Sequence, residues 1–216
     1  MNRLAVFARR PEPGRVKTRL SPALPTPLAA ALYAAMLADA FAAGAAAAAG
    51  ERCAYWSDGA GQTPAGWRAC AQRGADLGAR LAAAFAELLA APGDRAVIVG
   101  SDCPALAPTL LDAAFAALAH ADLVLAPARD GGYGLIGLAR TAPALFEGVA
   151  WSTDRVLAQT RERAGALGLR VELLPPLDDL DTPDDLARLV GALAAGRGDA
   201  CGPAMRAALG GIGLAP

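Results

Sequence analysis

Residues 4–20 read LAVFARRPEPGRVKTRL. Five apolar residues, Leu4 to Ala8, have the length and character of a buried strand. They empty directly into a loop that carries Arg9, Arg10, Arg15, Lys17 and Arg19 among two prolines and a glycine. Such a loop suits an anion. The formal net charge of the whole chain is only -1, so the positive charge is local and points to a phosphate-bearing small molecule rather than to a nucleic-acid face. In open sheets of parallel strands, ligands collect at the carboxyl ends of the strands, which is where this loop begins.

Working outward, strand-like and helix-like runs alternate, the pattern of a mainly parallel sheet covered by helices. The strands are predicted at Leu4–Ala8, Arg52–Trp56, Ala96–Gly100, Asp122–Pro127, Gly134–Leu138 and Arg170–Leu174. Helices are predicted at Pro27–Ala43, capped by Thr26, then at Leu77–Ala90 and Thr109–Ala119. Two more follow at Thr153–Leu167 and Pro183–Ala195, with Ser152 and Thr182 as caps and Gly168 and Gly196 as stops. The fold class read from this order is α/β: a single domain over residues 1–216, with a mainly parallel central sheet and helices on both faces. Residues 197–216, rich in glycine and small side chains, are expected to form a loosely packed tail with a short helix near Pro203–Leu209.

Composition excludes several classes. A chain of 216 residues fits one domain. Its 55% hydrophobic content is inflated by alanine, so the core must rest on Leu, Val, Ile and the aromatics. The apolar stretch Ala40–Ala49 is too short to span a bilayer, and the run after Arg3 is too short for a signal peptide. Cys53, Cys70, Cys103 and Cys201 form no CxxC pair and His120 is the only histidine, so neither a zinc site nor a disulfide framework is supported. The expected compartment is a reducing cytoplasm.

Four further segments carry possible chemistry. Gly14-Arg15-Val16-Lys17-Thr18 follows a strand and ends in Lys-Thr, but a P-loop needs a glycine where Val16 stands, and there is no GxGxxG. What remains is a glycine that permits close approach, with Lys17 and Arg19 as phosphate donors; a solvated basic loop is the alternative. The strand Val97–Gly100 leads into Ser101-Asp102-Cys103-Pro104, where Asp102 could hold a hard cation or merely cap its turn. Asp130-Gly131-Gly132 could form an anion nest or a hairpin turn. Asp184 and Asp185 suit a helix N-terminus, whereas Asp179 and Asp181, two apart on an extended segment, project the same way and repel unless a cation lies between them or water screens them. The polar, glycine-punctuated stretch Gln72–Arg80, with Asp76 and Arg80, could line the same cleft or be a surface connection, and Trp151 either covers a ligand or packs on the sheet.

Taken together, FARRPEPGRVKTRL, QRGADLGARL, GSDCPAL, APARDGGYGLIGL, WST and LDDLDTPDDL resemble a family of uncharacterised bacterial proteins, DUF2064, of the GT-A type glycosyltransferase superfamily. The resemblance spans about residues 4–195. It implies a Rossmann-like nucleotide-diphospho-sugar transferase fold, with Arg9, Gly14, Lys17 and Arg19 at the nucleotide phosphates and Asp102 on Mg²⁺ or Mn²⁺. By likeness to relatives in the F420 pathway, Asp179 and Asp181 complete the metal site. Asp76, Arg80, Gly131 and Gly132 are carried as further nucleotide contacts. Two departures stand out: GSDCP supplies one acid where many glycosyltransferases have an Asp-x-Asp pair, and Gly134 replaces a larger residue, which bears on the shape of the acceptor pocket.

The function expected is a metal-dependent glycosyltransferase or nucleotidyltransferase that binds a nucleotide or nucleotide sugar and transfers to a small acceptor. Lys17 and Asp102 are its catalytic candidates, and Asp130 is the base that inverting glycosyl transfer would require. The rival is a non-catalytic nucleotide-binding or partner-binding module on the same fold. No nucleic-acid partner and no membrane insertion are expected, and a homodimer is compatible with the reading.

Overall fold

The computed structural model describes residues 1–21, 23–59 and 61–214 of the chain. The strands β1 (Asn2–Ala8), β2 (Glu51–Trp56), β3 (Arg68–Ala71), β4 (Arg95–Gly100), β5 (Leu123–Pro127), β6 (Tyr133–Leu138) and β7 (Val171–Leu173) form one seven-stranded sheet in the order β3-β2-β1-β4-β6-β5-β7. All neighbouring pairs are parallel except those of β6, which runs antiparallel to both β4 and β5. The helices are α1 (Thr26–Ala46), α2 (Leu77–Leu88), α3 (Pro108–Ala117), α4 (Val156–Ala166), α5 (Pro183–Ala194) and α6 (Pro203–Gly211). The chain is thus a single α/β domain with a mainly parallel sheet, as the alternation of runs implied.

Strand β1 lies inside the sheet, between β2 and β4, and is apolar on both sides. Leu4, Val6 and Ala8 face a cluster built with Leu37, Ala40 and Phe41 of α1 and Leu111, Ala114 and Phe115 of α3. Ala5 faces the opposite cluster, built with Leu81, Phe85 and Leu88 of α2 and Ala164 of α4. A strand covered on both faces needs a continuous apolar run, and LAVFA supplies it. The other face of α1 (Leu32, Tyr33, Met36) packs under Leu186 and Leu189 of α5 and Met205 and Leu209 of α6, forming a third layer.

Several sequence expectations shift. β3 has no apolar signature; it is a four-residue edge strand with the sequence RACA, mostly exposed, and its pairing to β2 is what defines it. Helix α1 runs to Ala46, past the predicted end at Ala43. By length and composition α1 could cross a membrane, the one such helix among the described residues, and 61% of its apolar window is buried inside the protein. Its N-cap position is Pro25, not Thr26. Helix α4 starts at Val156, later than predicted, and Ser152 is not its cap: Ser152 takes a left-handed conformation with φ 64. Thr182 does cap α5, in a reciprocal capping box with Asp185.

Loose packing was expected beyond residue 197. Instead, the buried carboxylate of Asp39 accepts hydrogen bonds from the backbone N–H groups of Ala204 (2.9 Å) and Met205 (2.8 Å), and Met205 and Leu209 are fully buried. Residues 215 and 216 of that segment lie outside the described residues.

Candidate active site

The carboxyl ends of β1 and β4 open on a cleft of about 630 Å³. After β1 the chain turns through Gly14 (φ 78) and reaches Lys17, whose own backbone is left-handed at φ 50 and ψ 37. The residues flanking it are anchored, since Val16 and Leu20 are buried in the layer shared with α1 and α6. That anchoring turns the Lys17 side chain inward, where only 4% of it stays exposed. Its Nζ lies 3.1 Å from Asp102 Oδ2 and 2.5 Å from Asp181 Oδ1. Burial alone would lower the ammonium's pKa, but the charges of Asp102 and then Asp181 outweigh it and the net shift is upward. Arg19 stands 3.9 Å from the other oxygen of Asp181.

Asp102 is placed by the end of β4 and by the buried residue before it. Ser101 Oγ is 2.7 Å from Tyr33 Oη, and Tyr33 Oη accepts the N–H of Arg9 at 2.9 Å. These three residues tie α1 and the exits of β1 and β4 into one unit. A buried tyrosine hydroxyl needs partners of this kind.

The segment 177–181 completes the site as an extended strap. Leu177 and Leu180 are buried, and the strap donates N–H groups from Leu177 to the carbonyl of Pro127 (2.9 Å) and from Leu180 to the carbonyl of Asp102 (3.0 Å). Gly134 on β6 admits it: a Cβ there would lie 2.6 Å from the Leu177 carbonyl oxygen and 2.9 Å from Cys103 Sγ. The glycine at this position therefore serves close packing of the strap.

With the strap in place, one carboxylate oxygen from each of Asp102, Asp179 and Asp181 lies within 4.8 Å of the others. Burial, then the charges of Asp102, Asp181 and Asp130, push the Asp179 carboxyl up to about 7. Mg²⁺ and Mn²⁺ take oxygen ligands, Mg²⁺ at about 2.0–2.1 Å, so a small inward movement would bring all three oxygens onto one ion. Three hard carboxylate donors gathered this closely fit such a cation.

The remaining predicted residues divide. Arg9, Arg15, Lys17, Arg19, Asp76, Arg80, Asp102 and Asp181 line the cleft. Asp76 uses its carboxylate to cap α2 through the Ala79 N–H (2.8 Å), and Arg80 Nε donates to the Gly74 carbonyl (3.2 Å). Gly14, Asp130, Gly131 and Gly132 are not among the lining residues. Asp130 accepts the N–H of Gly132 at 2.8 Å inside the β5–β6 hairpin turn. Gly131, at φ 85, would place a Cβ 2.1 Å from the Asp154 carbonyl oxygen, so it meets the chain leading into α4. Sequence reasoning missed Tyr33 and Ser101. Their only signal was a hydroxyl on the apolar face of a helix and another at the end of a buried strand.

The parallel-rich sheet, with a cation-lined cleft at the ends of β1 and β4 and an acidic triad beside it, is a nucleotide-binding transferase fold by its likeness to solved structures. Within it, the chain belongs to the family described as "Uncharacterized protein conserved in bacteria (DUF2064)", whose sequence profile matches residues 29–153. The crystal structure of a putative nucleotide-diphospho-sugar transferase from Desulfovibrio desulfuricans G20 is 31% identical, with 99% of this chain and 96% of that one covered and a TM-score of 0.87. Two more distant structures share the fold alone. One is 2-C-methyl-D-erythritol 4-phosphate cytidylyltransferase from Thermus thermophilus, at 17% identity, 91% and 100% coverage and a TM-score of 0.51. The other is Rv0371c from Mycobacterium tuberculosis H37Rv in complex with manganese, at 18%, 87% and 96%, and 0.52. No protein with a curated description matches the chain in sequence.

Proposed function

We propose that the protein is a metal-dependent transferase acting on a nucleoside triphosphate or nucleotide sugar, and that nucleotidyl transfer to a small anionic acceptor is the chemistry its site supports best. The observation that carries this reading is the Lys17 ammonium held between Asp102 and Asp181 at the floor of an arginine-lined cleft, with Asp179 completing the carboxylate triad. An ammonium has three N–H donors. Two of those on Lys17 are engaged by the carboxylates, and the third is available to a phosphate oxygen. Arg9, Arg15 and Arg19 would bind the outer phosphates, and Asp102, Asp179 and Asp181 would hold Mg²⁺ or Mn²⁺. The ion, when bound, would neutralise charge on the phosphates and orient them.

In nucleotidyl transfer an anionic oxygen of the acceptor bonds to the α-phosphorus. The bond from that phosphorus to the bridging oxygen breaks, and its electron pair leaves with pyrophosphate. An oxyanion nucleophile carries no proton to remove, so positioning does most of the work and no general base is needed. That agrees with the cleft: the chain's one histidine, His120, is exposed and pairs with Glu172 (2.8 Å) away from it, and Asp130 is engaged in its own turn. Nucleoside triphosphates are cytoplasmic substrates, and the cytoplasm is the compartment this reading takes.

Glycosyl transfer is the second reading, favoured by the description of the 31% identical structure. Thermal-shift measurements with a panel of nucleoside triphosphates and nucleotide sugars, with and without Mg²⁺ or Mn²⁺, followed by mass spectrometry of products, separate the cases. Metal-dependent stabilisation by triphosphates with pyrophosphate release supports nucleotidyl transfer, and release of a nucleoside diphosphate from a nucleotide sugar supports the alternative. Binding without product would point to a non-catalytic module. If no nucleotide raises the melting temperature while a phosphate-free ligand does, the transferase reading fails.

A further inference from the structure

The carboxylate triad borders two cavities. Asp102 and Asp181 line the large cleft, whereas Asp179 lines a second, smaller cavity of about 360 Å³ between the strap and α5. Small-molecule pockets run from about 300 to 1,000 Å³, so this one suits a compact molecule. Its lining combines Pro104 and Leu189 with Arg129, Arg188 and Arg197, beside the acids Asp178, Asp179 and Asp185. Arg188 is paired with Asp185, and Arg129 is held against Asp178 by its backbone N–H (2.9 Å) and its Nε (3.4 Å). Among the described residues, no ion pair or side-chain hydrogen bond engages the Arg197 guanidinium or the two terminal nitrogens of Arg129. Those donors have the fork geometry that suits a carboxylate or phosphate.

We propose that this second cavity is the acceptor site, and that it takes a small organic anion bearing a phosphate or carboxylate, bound by Arg129 and Arg197. The inference rests on the transferase reading, and it follows from where the triad lies. Group transfer requires the donor phosphates and the acceptor oxygen to meet within bonding approach. Two cavities that share a carboxylate cluster as their border offer that meeting point, with the donor approaching from the Lys17 side and the acceptor from the Arg197 side. The apolar wall at Pro104 and Leu189 would accept a short carbon body.

The test is isothermal titration of 2-phosphoglycolate, with malonate and inorganic phosphate as separate probes of the two head groups. Each is titrated with Mg²⁺ present, with and without a non-hydrolysable nucleoside triphosphate. Wild-type protein is compared with Arg129→Ala/Arg197→Ala and with Arg197→Glu, and circular dichroism checks that each variant keeps the fold. The expected result is that at least one probe binds the wild type and loses tenfold or more in affinity in both variants. Nucleotide affinity should stay within twofold. Lys17→Met should do the reverse. Failure of every probe to bind the wild type, or binding that the two variants leave unchanged, overturns the proposal. Loss of nucleotide and probe affinity together in the arginine variants also overturns it, because the two cavities would then be one site. If a probe binds as expected but no nucleotide does, the transferase reading falls and with it the acceptor role, while the anion pocket stands.

Discussion

Lys17 concentrates the physics of the site in one side chain. It is buried, left-handed in its backbone and shared by two carboxylates that lie 85 and 164 residues further along the chain. Lys17→Met should lower nucleotide affinity by about tenfold or more, because one charge-assisted contact is worth roughly 1.5–3 kcal/mol. It should also cost about 1–2 kcal/mol of stability by chemical denaturation. That is less than the ~3–5 kcal/mol of a fully buried pair, since about a third of each carboxylate is exposed. Asp179 gives the opposite sign. Its carboxyl keeps a proton in the folded state up to about 7, well above the ordinary 3.8, so the folded state binds more protons than the unfolded one between those values. Metal-free stability attributable to this group is therefore full below about pH 4 and is lost as the pH rises to about 7. Asp179→Asn should raise metal-free stability at pH 8 by about 1–2 kcal/mol after allowance for solvent screening, and should change little at pH 4. A pH series of melting curves checks this; an equal effect at both pH values would show that Asp179 ionises normally.

At the scale of elements, the strap and α6 show what holds the cleft in shape. Asp39 sits in the middle of an apolar helix yet caps another helix about 165 residues away. Asp39→Ala should destabilise the protein by about 1–2 kcal/mol, the usual cost of a lost N-cap. That corresponds to a fall in Tm of roughly 2–8 °C for a chain of this size. Limited proteolysis should then cut first within residues 198–214. If resistance there is unchanged, α6 is held by Met205 and Leu209 without help from the cap. The elements themselves were largely legible. Runs of Leu, Val and Ala separated by Gly and Pro marked six strands and the main helices, because periodicity and capping are local. What was not legible had no local signal: β3 exists only through its partner β2, and Ser152 adopts its left-handed turn in the tertiary setting that delays α4.

For the whole molecule, the prediction is that metal binding and nucleotide binding are coupled through the triad. Mg²⁺ should raise Tm in the presence of nucleotide, by more at pH 8 than at pH 5.5, because the ion competes with the proton on Asp179. Asp102→Asn should abolish the metal-dependent part and leave the circular dichroism spectrum of the fold intact; a variant that still responds to metal would remove Asp102 from the ligand set. The sequence by itself determined the α/β class, the order of most elements, the basic loop at residues 9–19 and the carboxylates worth watching. All of these follow from the properties of near neighbours. Tertiary structure alone decided that Lys17 is enclosed between Asp102 and Asp181, 85 and 164 residues away, and that Asp130 and Gly131 belong to a hairpin. It also decided that Asp179 faces a second, arginine-lined cavity. The reason is that charge partners and cavity walls are set by which strand ends the sheet brings together, and no local pattern encodes that meeting.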